Sequence, residues 1–544
     1  MWSSSFMLSA LLFVVSISLL MMKVSVSFSW SVFRTVEWID TMIMIDEVTL
    51  IFVGMVGLVS FSVFIYFNKY MQGSVFKKKF SLGMLFFLIS MVLLSISGDA
   101  LWMMIGWDGL GLSSFYLIVF YQNWKSLNSS MVTFLSNRLG DSLIIISLCV
   151  FLGIGGLKYF EQMSSVVTAV FLLGGMTKSA QFPFSSWLPL AMAAPTPVSS
   201  LVHSSTLVTA GVFMFVRFTR FFSEETKQIM FFISFLTIVL ACSSSVGEYD
   251  LKKIIALSTL SHVGLMVMFL SMGMVVSACV HLVIHSLFKS LLFMVAGDLI
   301  HSGGNNQDIR GLSVLTVDFP VGVSLLTSVL SMAGLPFLAG FFSKEELLLS
   351  LSFLPSFVGS ITFLLSVLMT ASYGTRLLLS VFSHYPSSMS LDNSSNSWAV
   401  FAVMSLFSTF GGLFVYIFSK EKGVFVSYVS SLFKESVLLP LFVGVVVGYF
   451  FLKTQGIKMW VRWVHWMWSL ETSFKVFQSM FFGNSFFLMF KIDKGGTDKT
   501  LITKISMLSF VAESVLGLLV LSPMMILGTV SLVILFFWSS LINL

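Results

Sequence analysis

The sequence predicts an all-α polytopic membrane protein with about 15 transmembrane helices, and three observations lead there. Of its 544 residues, 57% are hydrophobic and only 10% charged, a balance that no water-soluble core requires. Apolar runs of about 20 residues recur between short polar turns from Leu8 to Leu541, which is the length of a spanning helix and not of the alternating segments of about 10 residues in a membrane β-barrel. Two of these runs are broken by glycine, proline and lysine, the pattern of discontinuous helices.

In chain order the spans fall at roughly 5–22, 48–67, 80–97, 100–121, 130–154, 164–192 (interrupted), 196–219, 228–246, 252–270, 272–299, 315–343 (interrupted), 351–381, 397–419, 431–453 and 522–541. Phe6 to Met22 follows no basic segment and ends in no Ala-x-Ala site, so it reads as a retained helix rather than a signal peptide. From Lys23 to Glu47 the chain is polar and aromatic and reads as an extended or hairpin loop at the membrane face. Lys77, Lys78 and Lys79 begin the next span. Ser383–Ser397 and Lys491–Thr500 are interhelical segments too short for a soluble domain. The first break runs through Gly174, Lys178, Pro183 and Pro189, the second through Gly334, Pro336, Gly340 and Lys344. Proline removes a backbone donor and stops the helical ladder, which leaves helix termini and ionisable groups near the middle of the membrane.

The net charge of +6 comes from 30 basic residues scattered over short loops, with no patch that could track a phosphate backbone, so nucleic acid is not an expected partner. Cys149, Cys242 and Cys279 stand singly in apolar spans and read as core residues, not as a metal or cluster site.

The titratable residues inside the spans are the candidate site. His281, His285 and Lys289 follow at intervals of four, each rotated about 40° from the last, so they share one helix face. Charge in hydrocarbon is costly, and a face of this kind marks an ion pathway. Asp108 sits in an apolar span, with Lys178 as its expected partner, and a change in their attraction would let the lysine pass a proton on. Arg138 cannot deprotonate, so it reads either as a field source tuning or clamping Asp108 or Asp141 or as an interfacial structural residue. His203, among serines and threonines, suits a relay through ordered water. Asp250 and Lys253 read as interfacial anchors, His262 as a residue of intermediate depth, and Lys344 with Glu345 as a charged couple at an outlet. Two histidines and a lysine without a nearby acid do not make a metal site. With seven histidines and no sugar- or nucleotide-binding motif, H⁺ is the expected transported species.

Trp107-Asp108-Gly109, Asn137-Arg138-Leu139-Gly140-Asp141, Lys178-Ser179-Ala180-Gln181, Trp187-Leu188-Pro189, Pro195-Thr196-Pro197, the His203 segment, His281 to Lys289, Asp308-Ile309-Arg310 and Phe341 to Lys344 together resemble the antiporter-like membrane pump subunits of respiratory complex I. The resemblance is dense over about residues 45–350. It departs from the usual pattern at Asp108, where glutamate is common, and at Glu345, where aspartate is common.

The resemblance implies two inverted five-helix repeats, a C-terminal lateral helix and a terminal span. On this sequence that gives N-terminal helices and a polar loop at about 1–79, a first repeat at 80–219, a second at 220–381, additional helices and loops at 382–500, and the lateral or embedded helix with its anchor at 501–544. It implies Asp108, Lys178, His203, His281, His285, Lys289, Lys344 and Glu345 as the proton-carrying set, with Arg138, Asp141, Asp250, Lys253 and His262 in tuning or structural roles. NADH, FMN, iron-sulphur clusters and ubiquinone would belong to partner subunits, and this chain would bind none directly. Implied partners are the other membrane-arm subunits, above all the adjacent antiporter-like one, with accessory subunits and structural phospholipid or cardiolipin, in the mitochondrial inner membrane. The enzyme would be NADH:ubiquinone reductase, with no redox centre in this chain. A stand-alone cation/proton antiporter and a purely structural membrane-arm subunit are the alternatives.

Overall fold

The structure is a computed structural model, and it describes residues 2–21, 25–31, 40–74, 76–98, 100–153, 165–313, 319–353, 357–383, 398–421 and 431–453. The chain divides into two compact units, Met1–Leu470 and Glu471–Leu544, and the second lies outside the described residues. So do the expected lateral helix and terminal span.

Helix α1 (Trp2–Met21) precedes an antiparallel hairpin of β1 (Val26–Ser31) and β2 (Asp40–Ile45), in the register Val26↔Ile45 to Ser31↔Asp40. The polar loop expected at this point is therefore a hairpin, and the Gly98 N–H ties it to the α3 end by donating to the Met42 carbonyl at 2.8 Å. Then come α2 (Glu47–Tyr70), α3 (Lys77–Ile96), α4 (Ala100–Val119) and α5 (Trp124–Gly153). Helix α5 begins before its predicted apolar start because its first turns satisfy their own polar groups. Ser126, Ser129 and Ser130 donate to carbonyls one turn back, at 2.8, 3.0 and 2.7 Å. The same back-bonding recurs deep in the spans, as from Ser90 to Phe87 and from Ser147 to Ile144, and lets a serine-rich chain sit in hydrocarbon.

The first break follows α6 (Ser165–Lys178). A 3₁₀ turn at Phe184–Ser186 and the short α7 (Trp187–Ala191) lead to Pro195, after which α8 (Thr196–Val198) passes through a π-helical turn, Ser199–Thr206, into α9 (Leu207–Phe218). The sequence predicted a regular helix here. Next, α10 (Glu224–Gly247) is capped by the Ser223 hydroxyl, which accepts from the Thr226 N–H, with Glu224 and Glu225 in its first turn. Helices α11 (Leu251–Ser271) and α12 (Val275–Ser302) follow. The second break separates α13 (Phe319–Ala333) from α14 (Ala339–Phe353), and α15 (Phe357–Ser383), α16 (Trp398–Glu421) and α17 (Ser431–Lys453) complete the described elements.

Among the described residues nine helices are long and apolar enough to cross a membrane, and five apolar helices are shorter. Helix α12 packs against α2, α11, α13, α14, α16 and the π turn. Its residues from Ser277 to Ile300 are mostly buried, and α11 is buried along nearly all its length. The polar face of α12 thus points into protein.

Candidate functional site

Helices α5 and α6 cross closely at two glycines. A Cβ on Gly174 would lie 3.0 Å from the Gly140 carbonyl, and one on Gly140 would lie 2.8 Å from the Gly174 carbonyl. One turn beyond the crossing, Lys178 is fully buried. Its amine donates to the Trp107 carbonyl and lies 3.9 Å from the centroid of the Trp107 ring system. The indole Nε1 of Trp107 in turn donates to Asp141 Oδ1 at 2.7 Å.

The direct Asp108–Lys178 pair expected from the sequence does not form. Arg138 Nη1 donates to both oxygens of Asp108, at 3.0 and 3.1 Å, and reaches Asp141 Oδ2 at 3.5 Å. The reason is angular. Successive helical side chains point about 100° apart, so with Trp107 turned inward over the lysine, Asp108 faces Arg138 on a half-exposed side of α4. Of the two carboxylates, Asp141 is the buried one and the one joined to Lys178 through Trp107. The acid joined to the first lysine through Trp107 is the one the sequence assigned to a tuning or structural role.

His203 is buried on the π turn, its ring 6.3 Å from that of Trp187, and neither ring nitrogen has a hydrogen-bond partner. The neighbouring hydroxyls that suggested a relay bond backward instead: Ser204 to the Ser200 carbonyl, Ser205 and Thr206 to that of Leu201. Gln181, in the break after Lys178, accepts from the Thr237 hydroxyl of α10 at 2.8 Å. That hydroxyl lies where a Cβ on Gly264 would meet it at 2.8 Å, two residues beyond His262 on α11.

His262 is fully buried, because α11 packs against protein on every side. His262 Nδ1 lies 3.2 Å from His281 Nε2, and His281 Nδ1 lies 2.8 Å from Ser343 Oγ. The His285 ring is 5.7 Å from that of His262, and both of its nitrogens lack a partner. Lys289 donates to Ser258 Oγ and, at 3.1 Å, to Met332 Sδ. Lys344 donates to the carbonyls of Met332 at 3.0 Å and Ala333 at 2.9 Å, and to Thr370 Oγ1 at 3.1 Å.

The second break creates this last site. Gly334 adopts φ +84°, in the left-handed region that glycine enters freely, and ends α13. The terminal carbonyls of Met332 and Ala333, the negative end of the helix, then receive the Lys344 ammonium. Met332 touches both lysines, one through sulphur and the other through its carbonyl.

Glu345, the expected outlet acid, is half-buried, whereas the next residue, Glu346, is 4% exposed with Oε1 unpartnered. Asp250 and Lys253 pair at 3.2 Å where α11 begins, and both are partly exposed. Sequence reasoning missed Ser258, Met332, Ser343 and Thr370 as partners, although Ser258 lies four residues before His262 and so shares its face. It also missed the ion pair of Lys69 and Asp298, 2.9 Å apart between α2 and α12.

A profile of the NADH:quinone oxidoreductase/Mrp antiporter transmembrane family matches residues 97–370, about half of the chain. NADH-ubiquinone oxidoreductase chain 5 of Mytilus edulis is 45% identical over 351 residues, covering 62% of this chain and 61% of that protein. Its counterpart from Anopheles quadrimaculatus is 40% identical over 448 residues, covering 80% of this chain and 76% of that protein. A solved Mrp complex from Dietzia superposes with a TM-score of 0.74 at 22% identity, over 95% of this chain and 60% of that one. An archaeal membrane-bound sulfane sulfur reductase superposes with a TM-score of 0.67 at 17% identity, over 82% of this chain and 92% of that one. At those identities the structural likeness is one of fold, while the sequence matches carry the relationship. The chain therefore belongs to the NADH-ubiquinone oxidoreductase chain 5 family, within the NADH:quinone oxidoreductase/Mrp antiporter proteins.

Proposed function

We propose that this chain is a proton-translocating membrane-arm subunit of respiratory complex I in the mitochondrial inner membrane, and that Lys289 and Lys344 carry the proton. One observation bears the reading. Two lysines are buried at 0% and 3% exposure, no carboxylate among the described residues lies within ion-pair distance of either, and a single residue, Met332, contacts both amines. Static charges so placed would cost several kcal/mol each, whereas a lysine that cycles between ammonium and amine needs such a site.

Electron transfer from NADH to ubiquinone takes place in partner subunits, where NADH, FMN, iron-sulphur clusters and ubiquinone bind. It acts on this chain by changing the field around Asp141 and Lys178. Trp107 transmits that change, because its indole holds the acid and its carbonyl holds the amine. When the hold of Asp141 weakens, the Lys178 proton moves toward the centre, past the buried His203, to Lys289 and then Lys344. The histidines His262, His281 and His285 line the central section.

The same reading places about 15 spans in two inverted five-helix repeats, each with one broken helix, and puts the lateral helix and anchor at 501–544. Neighbouring antiporter-like and accessory subunits, with phospholipid or cardiolipin, would surround the chain. The test is Lys289→Ala in the assembled complex reconstituted into liposomes, read as protons moved per electron. A lower ratio is the expected result, and an unchanged ratio removes Lys289 from the path.

A further inference from the structure

The hydrogen-bond partners of Lys289 and Lys344 include the hydroxyls of Ser258 and Thr370, beside Met332 Sδ and the carbonyls of Met332 and Ala333, and no histidine. His262 and His281 face each other, but His262 Nε2 has no partner, and beyond His281 the Ser343 hydroxyl donates to the Gly340 carbonyl at 3.2 Å. Neither ring nitrogen of His285 has a hydrogen-bond partner. Ser258, by contrast, receives the Lys289 amine and Thr370 receives the Lys344 amine at 3.1 Å. One turn from Ser258 on α11, Ser261 Oγ lies 3.2 Å from the hydroxyl of Tyr373, and Tyr373 stands one turn from Thr370 on α15. All four hydroxyl residues are buried, at no more than 1% exposure.

We propose that Ser258, Ser261, Tyr373 and Thr370 form a hydroxyl relay that carries the proton between Lys289 and Lys344. The inference rests on the pump reading above and adds its central wire. A hydroxyl both donates and accepts, so a relay of this kind moves charge without leaving a charged group in the interior between turnovers. Lys289 ammonium releases one proton and becomes an amine. Each hydroxyl accepts a proton on a lone pair and releases its own, and the Lys344 amine takes the last, so one proton moves and no electron does. At rest the hydrogens are parked on backbone carbonyls, Ser258 on Ile255 at 2.7 Å, Ser261 on Ser258 at 2.9 Å and Thr370 on Val367 at 2.9 Å, and rotation about the side-chain bond frees them. The two steps within a helix cover one turn, a rise of about 5 Å, which a rotating hydroxyl and one bridging water can span.

The test uses the intact complex in liposomes with Tyr373→Phe, which removes one oxygen and keeps the ring, and Ser261→Ala, which removes the same contact from the other side. In both, protons moved per electron should fall to the value of the Lys289→Ala complex, and Ser261→Thr, which restores a hydroxyl, should recover the normal ratio. If Tyr373→Phe does not assemble, Ser261→Ala decides alone. A normal ratio in Tyr373→Phe or Ser261→Ala beside a loss in Lys289→Ala overturns the relay and leaves the pump standing. A normal ratio in Lys289→Ala overturns both.

Discussion

Neutralising the two acids near Lys178 should have unequal effects, in the order opposite to the one the sequence suggests. Asp141 is buried, accepts from Trp107 Nε1 at 2.7 Å, and is joined through that residue to Lys178, whose amine donates to the Trp107 carbonyl. It lies beyond ion-pair distance of the amine. At an effective dielectric of about 20, two charges ~4 Å apart attract by about 4 kcal/mol, and the attraction falls inversely with distance. An acid beyond ion-pair range therefore contributes on the order of 1–3 kcal/mol, or about one to two powers of ten in the occupancy of the charged lysine. Asp108 is half-exposed and its charge is largely cancelled at Lys178 by Arg138, which bonds both of its oxygens. Removing a partly exposed partner of this kind costs about 1 kcal/mol or less. Asp141→Asn should therefore depress proton pumping by an order of magnitude or more, while Asp108→Asn reduces it several-fold at most. The assay is the initial rate of proton uptake into liposomes, normalised to NADH oxidation and to assembled complex on native gels. A greater loss in Asp108→Asn than in Asp141→Asn would refute the assignment of Asp141 as the working acid and restore the pair expected from spacing.

Gly174→Ala drives a methyl to 3.0 Å from the Gly140 carbonyl and 2.5 Å from Ile144 Cγ1, an overpacking that costs about 1–3 kcal/mol and moves Lys178 with α6. The melting temperature of the complex should drop, whereas an unchanged one would show that the α5 and α6 crossing has slack. Gly334→Ala forces an L side chain to φ +84°, at about 1–2 kcal/mol, and places its Cβ 3.0 Å from Lys344 Cδ. Loss of pumping in a complex that still assembles is the expected result, and retention of full pumping would separate the α13 terminus from the work of Lys344.

Among the described residues, nine helices long and apolar enough to cross a membrane, both helix breaks and the hairpin after α1 were legible in the sequence because each depends on local chemistry. Apolar length sets a span, proline removes a donor, and glycine turns the chain at Gly334. The polar face of α12 was legible too, since a spacing of four residues fixes a helix face wherever the helix goes. The partners were not. Trp107 stands between Lys178 and Asp141 only because Gly140 and Gly174 set how closely α5 and α6 cross, and Asp108 turns to Arg138 only because Trp107 occupies the inward direction. Met332, Thr370 and Tyr373 carry no mark in the sequence that separates them from other core residues. Met332 and Thr370 meet the lysines, and Tyr373 meets Ser261, because α13 stops at Gly334 and α15 packs across α13 and α11. Local sequence decides what each helix is and which side of it is polar. Which atom that side touches depends on the rotation and depth of the helices packed against it, and only the tertiary structure sets those.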